Sequence, residues 1–212
     1  MTAEDTYKTI IEPSEGIYTE KRSKFIAIAL PVRTLDEIKM HLETDQKKYY
    51  DARHVCYAYM LGAARKDFRA NDNGEPSGTA GKPILGQINS NELTDILIVV
   101  VRYFGGIKLG AGGLIRAYSG SVAHAVEEIG RVEVKELTGL TVELTYSQYQ
   151  VFSNFLEKEG LQEFDTTFLS DVSTTLFVEE SDIERLGQEL TEFYQGKVNY
   201  EKSGKKIVEI PI

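Results

Sequence analysis

Apolar positions in the first half of the chain predict a sheet packed with two helices. Residues 96–101 form an unbroken, β-branched run, which is typical of a strand covered on both faces, so we expect the centre of the sheet there. A strand pair is predicted around residues 16–30, and a further strand over His54–Leu61. Helical periodicity predicts helices over Leu35–Lys48 and over residues 112–129.

The second half of the chain predicts the order strand, helix, strand, strand, helix, strand. Capping boxes at Ser147 with Gln150 and at Ser181 with Glu184 indicate where the two helices begin, and Gly160 ends the first of them. This βαββαβ order is that of the ferredoxin-like arrangement. The strands are predicted over residues 140–146, 162–169, 172–178 and 206–210.

Length and charge divide the chain in the same way. At 212 residues the chain is long enough for two cores, and we place α+β domains at 1–133 and 134–212. Of the formal net charge of −9, the second domain carries −8. An acidic total argues against a general nucleic-acid-binding protein, although it permits a local basic face on the first domain. The sequence shows no membrane span and no secretory signal, so we expect a cytoplasmic protein.

Residues 102–118 form a glycine-rich turn that is the strongest candidate for a binding site. Glycines at the start of a helix present several backbone N–H groups to an anion. Between residues 96 and 126 there are three bases, Arg102, Lys108 and Arg116, and no acid, which suits a phosphate or a nucleic-acid backbone. The alternative is that the glycines serve close packing and the bases are solvated. The segment matches neither a Walker A loop nor a dinucleotide fingerprint.

The polar, glycine-rich stretch 63–91 is predicted to be a long loop. Within it, Asp72 and Glu75 are candidates for an acid and base or for a divalent cation site, and Ser77 or Thr79 for orienting a ligand. Such residues are also common in ordinary turns. No third carboxylate or suitably placed histidine accompanies them, so we assign no catalytic residue, no metal and no cofactor.

Two further features are weaker candidates. His54 and Cys56 lie two residues apart on one strand, where they share a face without the geometry of a catalytic dyad, so we expect a structural histidine and a buried thiol. Arg22, Lys24 and Phe25 combine bases with an aromatic ring on a predicted strand, a combination that can meet a sugar-phosphate chain and a stacked base. A solvated edge strand is the alternative.

Four stretches of the sequence together resemble the YigZ/IMPACT family, in its bacterial two-domain branch. They are residues 22–27, 54–59, 74–83 and 102–118, with Tyr103 in the last of them. The resemblance implies a first domain with the left-handed βαβ fold of the second domain of ribosomal protein S5, similar to elongation factor G domain IV. It implies a second, ferredoxin-like domain similar to elongation factor G domain V.

The resemblance also implies a field of activity. The family's eukaryotic members act in translational control by competing for an activator of the initiation-factor kinase, and its bacterial members are inferred to bind RNA or the ribosome. Asn71 and Asn73 flank Asp72 where relatives often carry a second acid, which weakens any two-carboxylate metal site.

We therefore expect a non-catalytic, translation-associated binding protein, monomeric and without a membrane partner. Lys24, Arg102, Lys108 and Arg116 would contact an RNA backbone or the ribosome. One alternative is an enzyme or binding protein that acts on a phosphorylated small molecule at the glycine-rich site. Another is a module that binds a protein partner through either domain.

Overall fold

The computed structural model describes residues 6–127 and 129–212, which form two compact α+β units. The first unit ends at Val134 and also includes Glu209–Ile212, and the second spans Lys135–Val208. Two α+β units are what the sequence predicted. Within the described ranges, no helix is both long and apolar enough to cross a bilayer.

The elements of the first unit are β1 Tyr7–Ile10, β2 Ser14–Glu20, β3 Ser23–Pro31, α1 Leu35–Lys48, β4 His54–Leu61, β5 Asp67–Asn71, α2 Gly81–Ser90, β6 Ile96–Tyr103 and α3 Gly110–Glu127. Five of these strands form an antiparallel sheet with the order β2-β3-β6-β4-β5. The predicted central strand, β6, is therefore confirmed. The short strand β1 pairs instead with residues 131–134.

Helices cover both faces of this sheet, and each face has its own core. Ile98 and Val100 of β6 pack into the core beneath α2 and α3. Leu97 and Val99 pack into the opposite core, with Ile38 of α1. Successive strand residues point to opposite faces, so an unbroken apolar run is what a strand with two covered faces requires.

The prediction of one long loop over residues 63–91 is wrong, because this stretch contains β5 and α2. Helix α2 lies directly against the end of β5, where a Cβ on Gly81 would come within 2.5 Å of the backbone nitrogen of Asn71. The buried apolar side chains of α2 are Ile84 and Ile88. Helix α3 also begins earlier than predicted, at Gly110, and ends at Glu127.

The elements of the second unit are β7 Arg131–Leu144, α4 Tyr146–Tyr149, α5 Phe152–Glu159, β8 Glu163–Phe168, β9 Val172–Val178, α6 Ile183–Phe193 and β10 Asn199–Pro211. Their order is the predicted one, except that the first predicted helix is divided into α4 and α5. The strands pair in the order β10-β7-β9-β8, and α5 and α6 contribute Phe152, Phe155, Leu186 and Leu190 to one core.

Both predicted helix starts in this unit are wrong by a few residues. Thr145 rather than Ser147 caps α4, because its backbone is extended and its hydroxyl accepts a hydrogen bond from the Gln148 amide. Helix α6 follows a 3-10 turn and has Asp182 at its N-cap without a side-chain hydrogen bond. The predicted end of α5 is confirmed, since Gly160 adopts the left-handed conformation with φ of 65°.

Candidate functional site

Most of the candidate residues of the first unit converge at one end of its sheet. Strand β6 ends there, β3 and β4 begin there, and α3 starts close by. In the strand register, Lys24 pairs with Tyr103 and His54 pairs with Arg102. Directly paired residues point to the same face. Arg102 and His54 therefore face α2 and α3, whereas Lys24 and Tyr103 face α1.

The loop after β6 is held against the turn between β2 and β3. The Gly105 amide donates a hydrogen bond to Ser23 Oγ over 3.1 Å. A Cβ on Gly105 would lie 2.0 Å from the carbonyl carbon of Arg22, so no other residue fits without moving the backbone. Lys21 and Arg22 have φ of 44° and 67°, as in a two-residue hairpin turn. The prediction that Arg22 lies on a strand is wrong, because it lies in the turn between β2 and β3.

Arg102 is buried, contrary to the expectation that it is a free phosphate contact. Its side chain is 7% exposed, and its Nη1 donates a 2.6 Å hydrogen bond to Glu75 Oε1, whose side chain is 3% exposed. The guanidinium carbon lies 5.4 Å from the ring centroid of Phe25 and 5.6 Å from that of Phe104. Phe25 is itself fully buried and unable to stack on a base. The segment around Arg102 contains no acid, and the counterion of Arg102, Glu75, comes from the loop that precedes α2.

A chain of buried polar groups continues from this ion pair. The Tyr118 hydroxyl donates a 2.9 Å hydrogen bond to Glu75 Oε1 and lies 3.3 Å from Cys56 Sγ. The Cys56 thiol donates to the backbone oxygen of Asp72 over 3.0 Å. Burial raises the pKa of Tyr118 above its ordinary value and raises the pKa of Cys56 to about 12. Both groups are therefore neutral at physiological pH, and the thiol is a poor nucleophile.

Asp72 organises the loop that precedes α2. Its Oδ2 accepts a 2.8 Å hydrogen bond from the Gly78 amide, and its Oδ1 accepts bonds of 3.0 and 2.8 Å from the amides of Ala80 and Gly81. Burial raises the pKa of Asp72, but these three bonds and nearby Lys82 outweigh it, so the net pKa is lowered. The carboxylate is committed to the fold and is not placed as a cation ligand.

The side chains of the remaining candidates do not contact a common partner. Thr79 Oγ1 donates to the Pro76 carbonyl oxygen over 2.6 Å, whereas Ser77 is exposed. His54 Nδ1 lies 2.9 Å from the Asn73 carbonyl oxygen. Within residues 6–127 and 129–212, no group of three or more histidine, cysteine or acidic side chains is placed to hold a metal ion.

Tyr103 does not join the site either. Its ring packs beside the core on the α1 face, and its hydroxyl donates a 2.9 Å hydrogen bond to Asp51 Oδ1. Its pKa is raised, first by desolvation and then by this contact with Asp51. Tyr103 therefore anchors the strand end to the other face of the sheet.

A cleft of about 410 Å³ opens above the buried ion pair. Glu75 and Arg102 line it, and Glu75 is the one acid among the described residues that do so. Arg53 and Lys108 line it with exposed side chains. Its other lining residues are His54, Pro76, Phe104, Leu109, Gly110, Ala111 and Leu114.

Two more candidate cations lie at the same end of the unit. Arg22 is exposed in the β2–β3 turn. Arg116 projects from α3 with 71% of its side chain exposed, and its Nη2 lies 4.0 Å from Glu20 Oε1, a contact too long and too exposed to neutralise it firmly.

Sequence reasoning missed Tyr118 and Phe104 as site residues. Tyr118 lies among the buried residues of α3 and is itself fully buried. A buried tyrosine hydroxyl usually has a hydrogen-bonding partner. That rule pointed to a polar group beneath α3, although it did not identify Glu75.

Comparisons with known proteins match both units. The Impact N-terminal domain model matches residues 21–126, and the model named Domain of unknown function (DUF1949) matches residues 142–197. IMPACT family member YvyE of Bacillus subtilis (strain 168) is 36% identical over 192 residues, covering 91% of this chain and 88% of that protein. IMPACT family member YigZ of Escherichia coli (strain K12) is 38% identical over 130 residues, covering 60% of this chain and 64% of that protein.

The chain is also similar to a solved structure. The crystal structure of a hypothetical protein matches with a TM-score of 0.60 at 28% identity. The match covers 94% of this chain and 98% of that chain.

Proposed function

The chain belongs to the YigZ/IMPACT family, in its bacterial two-domain branch, and on that premise we propose that it is a non-catalytic binding protein that acts in translation. Its first unit contacts RNA or the ribosome through the end of the sheet that carries the cleft. The observation that carries this proposal is the clustering of exposed bases there, on four separate segments of the chain. These bases are Arg22, Arg53, Lys108 and Arg116.

The charge balance supports a phosphate-bearing partner. Glu75, the acid in the cleft, is already paired with Arg102, and the Glu20 contact to Arg116 is long. The exposed bases are therefore available to phosphate oxygens, which are the usual positioning contacts of nucleic-acid-binding proteins. Arg102 has a different role from the one first expected, since it fixes the loop that presents Lys108.

We also infer the finer fold assignments and domain limits. The strand order β10-β7-β9-β8 and the βαββαβ sequence of elements support a ferredoxin-like second domain, similar to elongation factor G domain V. The first domain is assigned to the type of the second domain of ribosomal protein S5, with the boundary between residues 133 and 134. An experimental structure superposed on elongation factor G domains IV and V tests both assignments.

The test of function is co-sedimentation of the full chain with ribosomes across a salt series. The variant Lys108→Glu, Arg116→Glu reverses two exposed bases in the proposed surface. The matched control, Lys39→Glu, Lys47→Glu, makes the same charge change on exposed positions of α1, which covers the opposite face of the sheet.

We expect the wild type and the control to pellet with ribosomes at low salt, and the binding of both to weaken as salt rises. The site variant should bind more weakly, with a log–log salt slope reduced by about 1.5 because two phosphate contacts are lost. Wild-type binding that is absent at low salt, or insensitive to salt, would contradict the proposal. Equal losses in the two variants would show that the effect is one of net charge and not of this surface.

A further inference from the structure

We propose that the cleft binds a phosphomonoester that carries a base, either as a free nucleotide or as the phosphorylated end of an RNA strand. This inference deepens the proposed function, and its RNA arm rests on that function. It concerns the cleft floor and the ring of Phe104, and it shares Lys108 and Arg53 with the proposed RNA-contacting surface.

The first observation is the free edge of the Arg102 guanidinium. Among the described residues, only Nη1 of this group has a hydrogen-bond partner, and the buried Nε has none. Nη2 has no partner within the described ranges and is not among the fully buried atoms, so a phosphate oxygen in the cleft can accept a hydrogen bond from it. The unpaired, buried Nε is unfavourable as it stands, and a small shift of the side chain toward a bound phosphate gives it a second oxygen as partner.

The second observation is that positive potential remains after Arg102 is paired with Glu75. Lys108 and Arg53 line the same cleft and are exposed. Helix α3, 18 residues long, begins in the cleft wall at Gly110 and has no acid in its first turn. Its unpaired N–H groups and its dipole favour an anion at this point. The anion site is therefore made of the Arg102 guanidinium, the helix start and two exposed bases.

The third observation is the apolar wall of the cleft, which inorganic phosphate alone would leave exposed to solvent. Phe104 is 50% exposed although it lines the cleft, and Pro76, Leu109 and Leu114 continue the apolar surface. A volume of about 410 Å³ lies within the range of small-molecule sites, which runs from roughly 300 to 1,000 Å³. An exposed aromatic ring beside a phosphate site is the arrangement that stacks a nucleobase.

The test measures binding of the full chain by calorimetry to nucleoside monophosphates, to the matching nucleosides and to inorganic phosphate. A second arm uses a short RNA with and without a terminal phosphate. Phe104→Ala removes the stacking ring, and Phe68→Ala is its matched control because Phe68 is 54% exposed on β5, outside the cleft. Neither ring is in the buried core, so both variants should fold.

We expect a nucleotide to bind at least about tenfold more tightly than its nucleoside. Phe104→Ala should weaken nucleotide binding by roughly 5- to 100-fold, leave inorganic phosphate binding unchanged, and differ from Phe68→Ala, which should match the wild type. If the ligand is an RNA end, the phosphorylated RNA should bind at least about tenfold more tightly than both the dephosphorylated RNA and the mononucleotide. If it is a free nucleotide, the terminal phosphate on RNA should make no difference.

Equal affinity for nucleoside and nucleotide, or a Phe104→Ala variant that binds nucleotide as the wild type does, would overturn the inference. So would failure of every phosphorylated probe to bind. These outcomes are separable from failure of the proposed function. Ribosome co-sedimentation can persist when no nucleotide binds, which overturns the cleft alone. Nucleotide binding can persist when ribosomes do not pellet, which overturns the ribosome role alone.

Discussion

The buried ion pair between Glu75 and Arg102 makes a strong prediction about stability. Replacing Glu75 with Gln keeps the side-chain volume and an acceptor oxygen for both Arg102 and Tyr118, so the change isolates the charge. It leaves a guanidinium that is 7% exposed without a counterion. Removing one partner of a buried pair typically costs about 3–5 kcal/mol, and we expect the lower end because the hydrogen bonds survive.

A loss of about 3 kcal/mol should be large enough to resolve. It lowers the melting temperature by roughly 10 °C for a chain of this size, and the urea midpoint by about 1–2 M. The chain has no tryptophan, so far-UV circular dichroism is the appropriate signal, analysed for the transition of the first unit. A double variant, Glu75→Gln with Arg102→Met, removes both charges, keeps an acceptor for the Tyr118 hydroxyl and should stay within about 1 kcal/mol of the wild type.

The first unit also contains a matched control. Lys8 and Glu92 form an ion pair with the same 2.6 Å separation, but their side chains are 38% and 71% exposed. Glu92→Gln should leave the unfolding midpoint unchanged within error, because water screens an exposed pair. If Glu75→Gln and Glu92→Gln have equal effects, or if the double variant is as unstable as Glu75→Gln, burial of the charge is not the cause and the reasoning is refuted.

Three further predictions concern other residues of the first unit. The pKa of Asp72 is lowered on folding, so its contribution is present above its unfolded pKa of about 3.9 and is lost as pH falls through the folded pKa. Asp72→Asn should cost about 1–2 kcal/mol at pH 7 in urea unfolding, and a deficit that does not decrease as pH falls below about 4 would contradict this. Because the pKa of Cys56 is raised to about 12, its reaction with a disulfide reagent at pH 8 should be more than about a thousandfold slower in the native protein than in urea. Rapid native labelling would show that the thiol is accessible and ionised. Gly16→Ala should destabilise the first unit by about 1–3 kcal/mol in thermal melts, since its Cβ would lie 2.3 Å from the Ala125 nitrogen. Gly112→Ala has open space apart from the flexible Arg116 side chain, so it should stabilise α3 by about 1 kcal/mol in the same melts.

The sheet was predictable where local pattern and tertiary role coincide. Strand β6 is apolar on both faces because both faces are covered, so its sequence alone indicates a central position. Helix α2 was not predictable in this way. Its ten residues include Gly81, Pro83 and Gly86, and its start depends on Asp72, which lies nine positions before its first residue. No local window contains that contact.

The contacts among the candidate residues could not be predicted from the sequence. The glycine-rich turn, the basic residues and the Asp72 loop do meet at one end of the sheet. The counterion of Arg102, however, is Glu75, which lies 27 positions earlier and in a different element. The absence of acids in residues 96–126 therefore indicated that Arg102 is unpaired, whereas in the structure its charge is neutralised by Glu75. Long-range pairing of this kind leaves no trace in local composition.

Because β6 lies between β3 and β4, the sheet of the first unit stays incomplete until Tyr103 has been synthesised. At about 5–20 residues per second, the β2–β3 hairpin waits for several seconds before its neighbouring strand emerges. Throughout that interval the edges of β3 and β4 that β6 will cover are unpaired, and unpaired edges promote aggregation. The nascent chain should therefore be at its most vulnerable before β6 emerges, and slower growth or added chaperones should improve soluble yield most for variants that weaken β6.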